Sequence, residues 1–266
     1  MIRLAAFDID GTLFDERRKE FPASAVEALR LLKANGVLTA AATGRPPSTA
    51  AVLRTAGIFP DYLVCSNGHL VIDGEGRVWE DRRFPAELAG EVWRYCAEHQ
   101  IGLLWKYPDS TYIYRNDPEF DKIFSKNARL TKERLSTLHY DDHAVHLSRG
   151  ANGGCLACSV EMLARFNEAF AGQCRGVDIN GRSSDLLLWG VDKQTGLAAL
   201  LRRLGIPAEA CIAFGDNRND IEMLRYAGVG VAMGNGEASL KACSDYVTTA
   251  VDDDGIYRAL RHFQLI

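Results

Sequence analysis

Two carboxylates two residues apart, Asp8 and Asp10, stand where the mostly apolar run 2–7 meets Gly11. An apolar run of that length reads as a buried strand, and the glycine punctuates its end. Strand periodicity sends both carboxylates to the same side of the chain. Like charges so close repel unless a cation neutralises them or one of them is held protonated. Oxygen ligands suit a hard divalent cation such as Mg²⁺. A surface turn is the blander reading, since Asp and Gly are common turn residues, but turns rarely sit directly on a buried apolar strand.

Three further segments carry groups that a single phosphoryl-transfer site would need. Asp8 can attack phosphorus to give an aspartyl-phosphate. Asp10 can protonate the leaving oxygen and then deprotonate the attacking water. Thr43, with the Gly44 amide, supplies hydrogen-bond donors to phosphate oxygens. Lys193 opens a helix and offers a point charge against both nucleophile and phosphoryl group. The block Gly215-Asp216-Asn217-Arg218-Asn219-Asp220 follows the apolar run 211–214, which again puts carboxylates at a strand end. Asp216 is the natural further Mg²⁺ ligand, beside Asp8 and the Asp10 carbonyl, and Asp220 is assigned to the same metal set. Asn219 and Asp220 would orient phosphate, Lys193 or ligand waters.

These groups need a scaffold that brings strand ends together. The first 65 residues alternate: strand 2–7, helix from Pro22 to Gly36, strand 37–42, helix after Pro47 to about Gly57, strand 62–65. Strand–helix alternation of this kind argues for a parallel sheet with helices on both faces, whose ligands gather beyond the carboxyl ends of the strands. Residues 69–80 read as a β-hairpin about Asp73–Gly76. From about Phe84 to Leu187 the pattern changes to a helix over 85–99, strand-like pieces at 101–105, 111–114, 144–147, 155–160 and 177–180, and a helix over 161–170. Alternation resumes after Lys193, with a helix to Leu204, a strand 210–214, a helix from Asp220 and a strand 229–232. The expected fold is α/β: a Rossmann-like doubly wound parallel core with an inserted α+β cap over the carboxyl edge of the sheet. The core is expected over 1–82 and 188–266, and the cap over 83–187.

Composition agrees with a globular protein: 266 residues, 47% hydrophobic and 25% charged. A net charge of −4 and the lack of any basic stripe interleaved with aromatics argue against nucleic-acid or polybasic membrane partners. No segment approaches a membrane span, and the start lacks the layout of a signal peptide. Seven cysteines scattered through apolar segments read as free thiols in a reducing cytoplasm.

In order, Asp8-Ile9-Asp10-Gly11-Thr12-Leu13, Ala42-Thr43-Gly44-Arg45, Lys193 and the block 215–220 resemble the four motifs of the haloacid dehalogenase superfamily. Residues 221–224, 227–235 and 244–248, with Asp254-Gly255, are similar to its Cof-like branch (subfamily IIB), whose cap is inserted after the third core strand. The motifs cover roughly the first and last 80 residues, and their combination is specific where each alone would be weak. The resemblance implies a Mg²⁺-dependent phosphatase acting on a small phosphorylated metabolite, sugar phosphates foremost, as a monomer or homodimer. It also implies substrate contacts for Arg45, Asn67 and Gly68, alongside Thr43, Gly44 and Asn219. Asn217 and Gly236 depart from the family pattern. Asn tolerates left-handed backbone angles, and Gly236 has no evident chemical consequence. Asp10 favours oxygen-ester chemistry, since dehalogenating and phosphonate-cleaving relatives lack that acid. A phosphomutase of the phosphomannomutase type and a catalytically weak phospho-metabolite sensor remain as alternatives.

Other groups have plainer readings. Cys155 and Cys158 fit strand alternation better than half a zinc site, because no second pair has suitable spacing. His139, His143 and His146, with Asp141 and Asp142, span a predicted loop and read as solvated rather than metal-binding. Trp105, Tyr107, Tyr112 and Tyr114 fit packing of strand against helix better than a specificity pocket. The run 252–254 reads as a solvated turn.

Overall fold

The computed structural model describes residues 1–115, 138–140 and 145–266. The chain forms two compact units. One comprises Met1–Thr43, Ala50–Glu80 and Asp192–Ile266; the other comprises Gly44–Thr49 and Asp81–Val191.

Numbering strands in chain order, the first sheet contains β1 (Leu4–Phe7), β2 (Leu38–Ala42), β3 (Tyr62–Cys65), β4 (Leu70–Asp73), β5 (Val78–Asp81), β12 (Cys211–Gly215), β13 (Val229–Ala232) and β14 (Tyr246–Val247). Their order is β14-β13-β12-β1-β2-β3-β4-β5, parallel from β14 to β3, with β4 antiparallel to β3. β1 lies between β12 and β2, and all four of its residues are buried. That explains its apolar run: a strand inside a parallel sheet has both faces covered. Ala5 and Phe7 pack with the helices Ala23–Ala34 and Gly255–His262, and Phe7 stacks on Phe214 at 4.8 Å. Leu4 and Ala6 point the other way, toward the helices Lys193–Leu204 and Ile221–Tyr226. The expected doubly wound parallel core is therefore present.

Helix Lys193–Leu204 is defined by its ends. Asp192 and Thr195 form a reciprocal capping box, and Gly205 closes the helix in the left-handed conformation at φ 62°. Leu197, Leu200 and Leu201, at helical spacing, bury its inner stripe.

The second unit is α+β. Its sheet contains β6 (Gly102–Lys106), β7 (Thr111–Arg115), β8 (Leu138–Tyr140), β9 (Gly154–Ala157), β10 (Cys174–Asp178) and β11 (Ser183–Leu188), in the order β10-β11-β9-β6-β7-β8. All its pairs are antiparallel except β7–β8. Helices Ala86–Glu98 and Val160–Ala169 bury Val92, Cys96, Leu163 and Phe166 against Leu103, Trp105, Leu156 and Leu186. Trp105, Tyr107 and Tyr114 lie in this core and Tyr112 packs against it.

Several sequence expectations are corrected by the structure. Residues expected as a strand over 144–147 form the short helix Val145–Ser148, and Ala144 lies outside the described residues. The strand expected over 155–160 stops at Ala157, because the Ser159 side chain accepts the Met162 amide and starts a helix. β11 was not legible, since Ser183-Ser184-Asp185 hides the alternation of a buried strand. Asp141, Asp142 and His143 lie outside the described residues. His139 is exposed, as expected, and stacks on Tyr112, whereas His146, expected as solvated, is buried and donates its backbone amide to the Tyr114 hydroxyl. All seven cysteines are free thiols. Among the described residues, no helix is long and apolar enough to cross a membrane.

Candidate active site

The alternation of β1 decides which way Asp8 looks. The parallel ladder runs one residue beyond the strand, with the Asp8 amide donating to Phe214 O at 3.0 Å. Asp8 therefore continues the face of Leu4 and Ala6, toward the helix whose first residue is Lys193. Lys193 Nζ lies 2.5 Å from Asp8 Oδ1 and 2.7 Å from Asp220 Oδ1. Lys193 is 1%, Asp8 5% and Asp220 0% exposed. The other Asp220 oxygen, Oδ2, accepts the amides of Asp216 at 3.1 Å and Asn217 at 3.2 Å. One buried carboxylate thus fixes both the lysine and the loop after β12.

Asp8, Asp216 and Asp220 each offer a carboxylate oxygen within 4.8 Å of the others, the one such cluster of His, Cys, Asp or Glu among the described residues. The set is short of positive charge. Burial raises the Asp8 carboxyl well above its ordinary range; Lys193 opposes this, while Asp220, Asp216 and Asp10 add to it. Burial and then Asp220 push Asp216 up to about 7. Burial alone would discharge Lys193, but Asp220 and Asp8 outweigh it and hold its ammonium above its ordinary value. Asp216 Oδ1 is buried without a hydrogen-bond partner. All-oxygen donors with an orphaned carboxylate oxygen fit a hard divalent cation.

Two glycines shape the surrounding loops. Gly11 sits at φ +82°, and a Cβ there would lie 2.1 Å from Asp216 Oδ2. Its carbonyl accepts Asn235 Nδ2 at 2.8 Å, and Asn235 Oδ1 accepts the Val251 amide at 2.8 Å. Gly11→Ala is therefore expected to displace Asp216 and to cost about 1–2 kcal/mol from the left-handed backbone alone. The check is a lower melting temperature together with a smaller rise in it on adding Mg²⁺; an unchanged Mg²⁺ increment would refute the displacement.

After β3, Ser66, Asn67 and Gly68 take successive positive φ angles of 50°, 52° and 91°. Asn67 donates its amide to Thr43 O at 2.9 Å, and its side-chain Oδ1 accepts Asn219 Nδ2 at 3.2 Å. A Cβ on Gly196 would lie 2.6 Å from Gly68 Cα, so this loop rests directly on the first turn of the Lys193 helix. The first unit thus brings together Asp8, Asp10, Thr43, Asn67, Gly68, Lys193, Asp216, Asn219 and Asp220, the charges of Asp10 and Asp216 both acting on Asp8. Gly44 and Arg45 belong to the second unit, where Gly44 O accepts Lys106 Nζ at 2.9 Å and an Arg45 guanidinium nitrogen lies 3.4 Å from Thr49 O. Gly196 and Asn235 are supporting residues for which the sequence reading assigned no role. A glycine inside a helical pattern costs about 1 kcal/mol relative to Ala and so flags a close approach, which was the available signal for Gly196.

Known proteins are similar to this chain over most or all of its length. An HMP-PP phosphatase of Serratia proteamaculans is 30% identical over 250 residues, covering 91% of this chain and 87% of that one. A putative bifunctional phosphatase/peptidyl-prolyl cis-trans isomerase of Streptococcus pyogenes is 28% identical over 267 residues; this chain spans 54% of its length. Among solved structures, BT1666 from Bacteroides thetaiotaomicron, a phosphatase of the haloalkanoate enzyme superfamily, superposes with a TM-score of 0.89 at 25% identity, covering 100% of this chain and 96% of that one. The subclass IIB sugar phosphatase BT4131 gives a TM-score of 0.88 at 27% identity, covering 99% and 100%. The family match extends over residues 5–260, and on that span the chain belongs to the haloacid dehalogenase-like hydrolases.

Proposed function

We propose that this protein is a Mg²⁺-dependent phosphatase that hydrolyses small phosphorylated metabolites, sugar phosphates foremost, through an aspartyl-phosphate on Asp8. The observation that carries the reading is the trio Asp8, Asp216 and Asp220, with the buried Asp8 and Asp220 on one lysine and the half-buried Asp216 keeping its Oδ1 without a partner. The similarity to a sugar phosphatase and to an HMP-PP phosphatase supports a small phosphorylated substrate.

Asp8 attacks phosphorus as the bond to the leaving oxygen breaks, and Asp10 delivers a proton to that oxygen. Asp10 then takes a proton from water, whose oxygen attacks phosphorus, displaces Asp8 and releases inorganic phosphate. Lys193 holds the Asp8 carboxylate in place and opposes the charge of the phosphoryl oxygens. The Thr43 hydroxyl and the Gly44 amide bind phosphate oxygens, with Arg45, Asn67, Gly68 and Asn219 completing the substrate contacts. Asp8, Asp216 and the Asp10 carbonyl would hold Mg²⁺ within the field of Asp220. When bound, the ion supplies positive charge against the developing phosphoryl charge. The inserted region, 83–187, is the cap that sets substrate specificity. A cytoplasmic location accords with seven free thiols.

The ion is also expected to show in stability. Asp216 titrates at about 7 when folded against an ordinary 3.8. Between those values the folded chain keeps a proton that the unfolded chain has lost. Stability of the metal-free protein therefore falls as pH rises from about 4 to about 7. Mg²⁺ competes with that proton, so its stabilising effect grows over the same window. Melting curves with EDTA and with Mg²⁺ across this range test it; a Mg²⁺ increment independent of pH would count against Asp216 as ligand.

The function itself is tested by a phosphate-release screen over sugar phosphates, nucleotides and pyridoxal phosphate, with and without Mg²⁺. Release of inorganic phosphate only with Mg²⁺ supports the reading. An isomerised sugar phosphate instead would make the protein a mutase, and tight binding without release would make it a sensor.

A further inference from the structure

Lys106 is a buried ammonium that the proposed reaction does not use. It ends β6 on the sheet face opposite the two helices of the second unit, the face that also carries Leu104, Ile113, Cys155 and Ala157. Register sets Asp185 beside Cys155 and Cys155 beside Leu104, so three adjacent strands bring Asp185 to Lys106. Lys106 Nζ lies 2.8 Å from Asp185 Oδ1 and 2.9 Å from Gly44 O. The two side chains are 9% and 8% exposed. Burial alone would discharge Lys106, but Asp185 outweighs it and holds the ammonium above its ordinary range.

A buried ion pair is a poor device for stability alone, because desolvation consumes much of its attraction and apolar residues often serve as well. An apolar pair, however, cannot grip a backbone carbonyl. Gly44 belongs to the segment 44–49 of the same compact unit, and Ser48 ties that segment a second time by donating its amide to Pro108 O at 3.1 Å. Gly44 has no side chain to limit its backbone angles. Its carbonyl shares a rigid peptide plane with the Arg45 amide, so fixing the oxygen fixes that plane.

We propose that Lys106, held by Asp185, is a positioning residue that sets the Gly44–Arg45 peptide plane of the phosphate-binding segment through the Gly44 carbonyl. The inference rests on the reading of Gly44 and Arg45 as phosphate and substrate contacts.

The test compares full-length wild type with Lys106→Met/Asp185→Leu, which removes both buried charges together, and with Lys106→Arg, which keeps a cation that can donate to both oxygens. Affinity for inorganic phosphate with Mg²⁺ present is measured by calorimetry, alongside kcat and KM for p-nitrophenyl phosphate. In the double variant, phosphate affinity and kcat/KM are each expected to fall about tenfold, with a cooperative melt retained. Lys106→Arg is expected closer to wild type than to the double variant. Unchanged phosphate affinity in the folded double variant overturns the proposal, as does Lys106→Arg proving equally weak. If the double variant does not fold, Asp185→Asn decides: a smaller loss of phosphate affinity supports the proposal and no loss overturns it. A wild type that neither binds phosphate nor hydrolyses the ester overturns the functional reading and this inference with it. A wild type that does both, beside an unaffected double variant, overturns this inference alone.

Discussion

Asp8→Asn is expected to abolish turnover and leave the fold standing. The amide oxygen is a poor nucleophile, so no aspartyl-phosphate forms and kcat falls on the order of 10⁴-fold or more. The fold has little reason to suffer. An asparagine oxygen can still accept from Lys193, which keeps its second bond to Asp220 at 2.7 Å. Burial, with Asp220, Asp216 and Asp10, makes the Asp8 charge unfavourable when no cation is bound. The neutral isostere should therefore melt no lower than the parent in EDTA. Phosphate release and thermal melting measure the two halves separately. Retained turnover would remove Asp8 as the nucleophile, and a clearly lower melting temperature would refute the charge balance drawn for the cluster.

Lys193→Met is expected to damage both activity and stability. Lys193 is 1% exposed and lies between two carboxylates that are themselves buried. Removing one member of a buried ion pair leaves the other uncompensated, at about 3–5 kcal/mol. For a chain of this size that corresponds to a melting temperature lower by at least about 6 °C. Loss of the ammonium also removes a preorganised charge from the reacting centre, with an expected fall in kcat of about 10²–10³-fold. The informative readout is metal dependence. Without Lys193 the carboxylates have no cation of their own, so Mg²⁺ should restore more of the melting temperature in the variant than it adds to wild type. An equal Mg²⁺ increment in both proteins would show that lysine and metal do not share one set of charges.

The core was legible because its signals are local. The alternation in 1–65 and from Lys193 to 232 reproduces β1, β2, β3, β12 and β13 and the helices Ala23–Ala34, Lys193–Leu204 and Ile221–Tyr226 within a few residues, since each of these strands reads as an apolar run, whereas the one helix expected after Pro47 is two short helices, Pro47–Ala50 and Val52–Thr55. Legibility failed where local and tertiary signals conflict. β11 carries Asp185 on a buried face, which no pattern rule expects without its partner Lys106, and that partner lies on another strand. Residues 145–148 read as apolar alternation but form one helical turn. The close approach of Gly68 to Gly196 could be flagged from composition but not paired, because the two glycines are far apart in sequence.

Residue types and their spacing set the kinds of chemistry available. Two aspartates at the end of an apolar strand, a lysine opening a helix and an acidic block after another strand specify charge, spacing and position on elements. Which of these charges meet follows from strand order and facing in the folded sheet. β1 and β12 are adjacent, so Asp8 and Asp216 end neighbouring strands, and the face chosen by Leu4 and Ala6 turns Asp8 toward Lys193. Asp220, assigned by sequence to the metal set, spends one oxygen on Lys193 and the other on the amides of Asp216 and Asn217. Asp216 is left with the unpartnered oxygen. Such a division of labour among like residues depends on distances of a few ångströms between strand ends, and those distances exist only once the sheet has formed.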